Sequence, residues 1–342
     1  MAAYQGFRDY PISKSAWANW KPAHPSGWNV QIVWQPLINP FTNAALKGLE
    51  SELKASEKVS SMQVQAMTSV TDVPQEIQMM QTAIQRKPDL IILFPAAPNA
   101  FIPAIAQAAK AGIPVISEFE NTPSQYAVSV NINFWLAEAI PVAALMPLIG
   151  EKGDLLGVHG IPGIAGAVDS ATAWKDVLSR CPNVHLVGTV FGEYTGTVAK
   201  AQVQQYLATH PAQLAGVIDE GVMGPGILGA FSQTGRTPPP LADGDAAQGV
   251  LAYWHEHPSY KMTAMINPDV EVGQVTGEVA LKMLEGAGVK INTLLSPSQY
   301  LITPDNLNQV WKPSFQVGSL LDATPPPGQW FPAAYLNGFF AH

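Results

Sequence analysis

Lys87-Pro88-Asp89-Leu90-Ile91-Ile92-Leu93-Phe94-Pro95, followed by Ala108-Ala109-Lys110-Ala111-Gly112-Ile113-Pro114-Val115-Ile116-Ser117, decides the fold class. Residues 90–94 form a short continuous apolar run bounded by proline on both sides, as in a strand covered on both faces of a parallel sheet. Ile102, Ile105 and Ala109 recur at i, i+3, i+7 and make one face of a helix. Gly112 ends that helix, Pro114 prevents its restart, and Val115-Ile116 opens the next strand. In such a right-handed crossover the ligand sits beyond the carboxyl ends of the strands, here at residues 94–97 and 117–120.

Outward from this unit the alternation of strand and helix continues in both directions. Residues 30–34 read as a strand, and Asn39-Pro40-Phe41 opens a helix with Ala45, Leu49 and Leu53 inward; proline near the first helical position loses no hydrogen bond. A strand over 62–67 and a helix carrying Ile77, Met80 and Ile84 follow, and residues 127–130 close this half. A second series begins with a helix over 135–148, bent at Pro141. Strands are expected at 154–159, 184–190, 216–219, 240–242, 262–266 and 300–303, with helices at 167–178, 198–208, 227–233 and 272–284. Two βα series of similar size predict two doubly wound parallel-sheet lobes of an α/β protein. Residues 1–28, with Trp17, Trp20 and Trp28, form an arm on the body. Residues 311–342 place Pro325-Pro326-Pro327 among Trp311, Phe315, Trp330, Phe331, Tyr335, Phe339 and Phe340. Such a tail wraps the body or meets a partner, because so many rings are costly to leave in water.

Composition narrows the function classes. The chain has 342 residues, 47% apolar and only 13% charged, which suits two well-filled cores. A net charge of −8, with 18 basic residues spread along the chain and no run longer than Arg86-Lys87, argues against a nucleic-acid partner. Cys181 is the one cysteine, which excludes an internal disulfide and a thiolate metal cluster. The longest apolar stretch, 139–149, is too short to span a bilayer and carries two prolines. Met1-Ala2-Ala3-Tyr4 has neither the basic start nor the apolar core of a signal peptide.

Taken in order, several of these segments carry a resemblance. Asn39-Pro40-Phe41 after the first strand, the Pro88-Asp89 strand with Pro95 behind it, Ala111-Gly112-Ile113-Pro114-Val115-Ile116, Thr209-His210-Pro211, Asp243-Gly244 and Ile302-Thr303-Pro304-Asp305-Asn306 resemble the periplasmic sugar-binding proteins of the ribose and galactose type that serve ABC transporters. The resemblance spans roughly residues 30–306. It implies a type I periplasmic binding protein: two lobes joined by a three-strand hinge, with crossings near 131–133, 266–269 and 303–305. Lobe 1 would comprise residues 29–131 plus 268–303, and lobe 2 residues 132–267 plus 304–315, with 1–28 as an arm and 316–342 as a tail. It further implies a non-enzymatic monomer without cofactor or metal, working in the periplasm or on the extracellular side of the membrane. Its partners would be a small-molecule sugar or polyol and an ABC transporter permease.

The same resemblance implies a pocket. Asn39 and Phe41 stand where the family presents an amide and a stacking ring, Tyr194 where a second ring closes over the sugar, Asp243 where a carboxylate accepts hydroxyl bonds, and Asn267 at the second hinge. Rings suit the apolar faces of sugars, and amides and carboxylates suit their hydroxyls. Asn133 and Trp135, beside the first crossing, and Glu118, Glu120 and Asp169 complete the candidate ligand-binding set. Two departures stand out. Glu118-Phe119-Glu120 replaces an Asp-Arg pair common in the family, and Val168-Asp169-Ser170 stands where another arginine is expected. Arginine forks two hydrogen bonds onto ring and hydroxyl oxygens, so its loss changes what is gripped. Glu118, Glu120, Asp169, Asp219, Glu220 and Asp243 leave the site rich in carboxylates. This disfavours an anionic sugar, fits a neutral pentose or polyol, and keeps an amino sugar or other cationic solute as the alternative.

Other motifs resolve to ordinary roles. His255-Glu256-His257 before Pro258 lacks the i, i+4 spacing of a helical zinc pair and reads as a solvated loop. Asp243-Gly244-Asp245 is too short for a calcium loop. The glycines at 157, 160, 163 and 166 match neither nucleotide-binding pattern and instead allow a backbone to approach ligand closely. Trp174 falls on the apolar face of its helix. No nucleophile elbow is present. A sensor presenting ligand to a signalling receptor remains a rival reading. A repressor effector domain would need a helix-turn-helix that residues 1–28 cannot supply.

Overall fold

The computed structural model describes residues 2–38, 40–162, 165–297, 300–328 and 330–341. The chain forms two compact units: Met1–Asn133 with Asp269–Ser298 and Pro327–His342, and Phe134–Pro268 with Gln299–Pro326.

Unit 1 is built on β1 (Trp28–Trp34), α1 (Pro40–Ala55), β2 (Val59–Ala66), α2 (Val73–Gln85), β3 (Leu90–Leu93), α3 (Ile102–Lys110), β4 (Val115–Glu118) and β5 (Ala127–Asn131). Unit 2 follows with α4 (Phe134–Leu148), β6 (Gly153–His159), α5 (Ala165–Leu178), β7 (Val184–Phe191), α6 (Gly196–Thr209), β8 (Gly216–Asp219), α7 (Gly224–Gln233), β9 (Leu241–Asp243), α8 (Gln248–Glu256) and β10 (Met262–Ile266). The chain then returns to unit 1 as α9 (Asp269–Leu284) and β11 (Thr293–Leu295). It goes to unit 2 as β12 (Tyr300–Ile302) and α10 (Leu307–Val310), and ends in unit 1 with α11 (Ala333–Asn337).

The sheet orders are β11-β5-β4-β3-β1-β2 in unit 1 and β12-β10-β9-β8-β6-β7 in unit 2. Every pairing is parallel except that of β12 with β10. In both sheets the order reverses beside the first strand, between β1 and β3 and between β6 and β8, and ligands bind beyond the strand ends at such a switch point. The apolar run that opened the sequence reading is β3, whose four residues are all fully buried. On one face of the unit 1 sheet, Met80, Ile84, Phe101 and Ile105 pack against Val33, Ile91 and Leu93. Unit 2 is covered on both faces. Val203, Ile227, Phe231 and Trp254 pack with Val158 and Val217, while Val142, Leu145 and Trp174 pack with Leu155 and Ile218.

Several boundaries differ from those expected. Residues 300–303 were expected to end lobe 1, but β12 pairs antiparallel with β10, Ala264 opposite Ile302, and so belongs to unit 2. Residues 316–342 are not one tail: the portion to Pro326 belongs to unit 2, and Trp330, Phe331 and Phe340 are buried in unit 1. The arm also belongs to unit 1, where Trp28 already begins β1. The expected loop at 255–257 is the end of α8. His255 stacks on Trp311 at 3.5 Å, and His257, which caps the helix and is exposed, stacks on Tyr253 at 4.1 Å. The strand β11 was not foreseen, because three residues are too few to show a period.

Candidate functional site

In unit 1 the carboxyl ends of the strands carry an aromatic face. Phe119, directly after β4, lies 4.6 Å from Phe41 at the start of α1, 6.4 Å from Phe94 after β3, and 6.5 Å from Trp330. Trp34 at the end of β1 meets Phe94 edge-on at 5.1 Å. Phe119 is held at φ +46, a left-handed conformation that a bulky side chain adopts only when its surroundings over-determine it, and such residues gather at binding sites. Beside it Glu118 is fully buried, and neither carboxyl oxygen reaches hydrogen-bond geometry with a described residue. Burial pushes this carboxyl up to about 8, the Thr276 hydroxyl pulling weakly the other way.

Unit 2 gathers acids at the equivalent strand ends. Glu220, after β8, accepts at Oε2 from the Gly160 N–H at 2.9 Å and bonds His159 Nδ1 at 3.2 Å, while its Oε1 accepts from the Tyr194 hydroxyl. His159 at the end of β6 stacks on Trp174 at 4.2 Å, and the Trp174 indole donates to Glu138 Oε2 at 3.1 Å. Asp219 and Asp243 end β8 and β9, each accepting one backbone N–H at Oδ1, from Gly221 and Asp245, and each leaving a buried Oδ2 without a partner. Burial raises Asp243 to about 8 and lifts Glu138 and Asp219 well above the usual carboxylate range. The neighbouring Glu220 carboxyl adds to the rise of Glu138, and Asp243 adds to that of Asp219. A carboxyl that keeps its proton in such a setting can both donate and accept. Among the described residues no group of three or more His, Cys, Asp or Glu side chains is arranged to hold a metal ion.

The periplasmic binding protein domain family matches residues 30–288, most of this chain. This chain belongs to the periplasmic binding protein family. Its curated relatives include a xylitol-binding protein of Mycolicibacterium smegmatis, 22% identical over 276 residues that span 79% of this chain and 76% of the relative. A D-apiose import binding protein of Actinobacillus succinogenes is 25% identical over 212 residues, 61% of this chain and 66% of that protein. Among solved structures, an ABC transporter solute binding protein from Thermobispora bispora superposes with a TM-score of 0.74 at 21% identity, covering 84% of this chain and 89% of that one. Another from Bacillus halodurans, with bound myo-inositol, gives 0.75 at 15% identity, covering 84% and 98%. These structures share the two-lobed fold with the present periplasmic binding protein.

The residues picked from sequence fall into distinct settings. Phe41, Glu118 and Glu120 lie at the strand ends of unit 1, and Tyr194 and Asp243 at those of unit 2. Asn39 and Gly163 lie outside the described residues. Asn133 is buried with its amide donating to the carbonyls of Ala3 and Gln5, so it pins the N-terminal arm. Trp135 donates its indole N–H to Asp176 at 3.1 Å and packs with the α4–α5 core. Asp169 is half-buried on α5. The backbone N–H of Asn267 donates to Asp245 Oδ1 at 2.9 Å. Gly160 admits a side chain rather than a ligand: a Cβ there would sit 2.1 Å from the Tyr194 ring. Reading by sequence missed Phe119 as a ring, His159, Glu138 and Trp330. Glu138 had a visible signal, a lone acid in the apolar helix α4.

Proposed function

We propose that the protein is the solute receptor of an ABC importer, capturing a neutral sugar or sugar alcohol of pentose size and delivering it to a membrane permease from the outer side of the membrane. The protein acts as a monomer that takes its ligand by hinge closure. Ligand drives closure only by as much as it prefers the closed form. The observation that supports a neutral ligand is the state of the buried acids. Glu118 and Asp243, both pushed up to about 8 by burial, keep their protons at pH 7 and meet hydroxyls as donors and acceptors rather than as counter-ions. The rings of Phe41 and Phe119 suit the apolar face of a sugar. Relatives named for xylitol and D-apiose agree with that size and class.

A thermal-shift screen with xylitol, D-arabinose, myo-inositol, D-allose and glucosamine tests the reading. Ligand at a hundredfold over Kd adds about 2.7 kcal/mol of stability, a readily measured rise in Tm. A neutral polyol or pentose is expected to give that rise, and Phe41→Ala or Tyr194→Ala to weaken it about tenfold or more in calorimetry. Response to glucosamine alone would replace the neutral class by a cationic one.

A further inference from the structure

We infer that Trp330, contributed by the C-terminal segment beyond the family-matched residues, is a ligand-contacting residue of unit 1 whose indole N–H donates to an oxygen of the bound sugar or polyol. The inference rests on the sugar-receptor reading above and adds to it a residue that sets specificity.

The segment is held firmly at the strand ends. Glu271 accepts from the Gly328 and Trp330 N–H groups at 3.2 and 3.3 Å, and the Trp330 carbonyl accepts from the Ser296 hydroxyl. The Ser296 N–H in turn donates to the carbonyl of Asn131, the last residue of β5, at 2.8 Å. Phe331 packs edge-on against the indole at 4.9 Å, while Phe119 lies 6.5 Å away on the face shared with Phe41. The Trp330 ring is thus fixed beside the aromatic face rather than free to turn.

Its N–H is the anomaly. Trp17, Trp20, Trp28 and Trp34, the other tryptophans of unit 1, each donate the indole N–H to a backbone carbonyl. Trp330 is only 3% exposed, and its Nε1 has no acceptor among the described residues. Buried donors are rarely left so, and each one calls for a partner. At the same strand ends the amide nitrogen of Asn131 and both carboxyl oxygens of Glu118 are also buried without partners. Two donors and an acid lacking partners match a hydroxylated solute, since each hydroxyl both accepts and donates. Phe119 supplies no side-chain donor and Trp34 gives its own to the Thr42 carbonyl, so among the described residues Trp330 brings the one indole donor on this aromatic face that lacks an acceptor.

The test compares the full-length protein with Trp330→Phe, which keeps an aromatic ring and removes the N–H. Both are measured without ligand and with xylitol, D-arabinose and myo-inositol, by melting and by calorimetry. The ligand-free variant is expected to melt somewhat lower but as one folded protein, because the smaller ring leaves a void at this buried position. It should bind whichever probe the wild type binds about five- to tenfold more weakly. The indole ¹⁵N–¹H resonance absent from the variant should be one that shifts when that probe is added to wild type. Affinity within about twofold of wild type would overturn the assignment and leave the receptor reading standing. A Trp330 indole resonance that stays in place while the probe saturates the wild type would also overturn it. If wild type binds none of the probes, the receptor reading for this class fails, and the assignment fails with it.

Discussion

Asp243, Asp219, Glu138 and Glu118 owe their raised pKa values chiefly to burial. An acid that ionises near 4 in the unfolded chain and near 8 in the fold binds its proton more tightly when folded. Its contribution to stability is complete below the unfolded value and is lost as pH rises through the folded one. The melting temperature is therefore expected to fall by several degrees between pH 5 and pH 9. Asp243→Asn cannot ionise and retains an oxygen for the Asp245 N–H, so it should flatten that slope and melt at least as high as wild type at pH 8. A wild-type Tm rising steadily toward pH 9 would contradict the neutral-acid account. Asp219, Glu220 and Asp243 were legible in the sequence as acids at strand ends. The upward shift of Asp219 and Asp243 was not, because desolvation depends on every element packed around them.

Helices α1 and α9 pack closely enough that two glycines become necessary at the element scale. A Cβ on Gly273 would lie 1.8 Å from the Ala45 carbonyl oxygen, and one on Gly48 would lie 2.1 Å from that of Val270. In an exposed helix, glycine to alanine would stabilise by up to about 1 kcal/mol. Here overpacking against backbone reverses the sign, so Gly273→Ala is expected to destabilise by about 1–3 kcal/mol in urea unfolding. No gap in the sequence pattern announced this seam, because the two helices are far apart in the chain. By contrast α2, with Asp72 accepting from the Gln75 N–H at 3.0 Å and proline in its first turn, carries its own start signal. The same holds for β3, whose flanking prolines and four buried residues were readable directly.

Across the whole molecule the C-terminal segment is divided between the two units. Trp311 and Phe315 pack against the unit 2 core, whereas Trp330, Phe331, Leu336 and Phe340 are buried in unit 1. Deleting residues 327–342 removes those buried side chains from unit 1 alone. Each fully buried large apolar side chain contributes about 1.5–3 kcal/mol. Calorimetric melting of the truncated protein should therefore show a transition lowered by ten degrees or more for unit 1, with unit 2 melting close to its original temperature. Loss of both transitions together, or of neither, would refute this division.

The sequence by itself determined the alternation of strand and helix, the parallel α/β class, the two-unit plan and the strand ends at which Glu118, Tyr194 and Asp243 stand. Local propensity, proline and glycine punctuation and apolar period act over a few residues and leave their mark in one dimension. Tertiary structure alone decided that Asn133 and Trp135 bond within their own units, that β12 joins the second sheet, and that burial pushes Asp243 up to about 8. It also set Trp330 beside Phe119, some two hundred positions away in the chain, a contact made by packing and invisible to any local pattern.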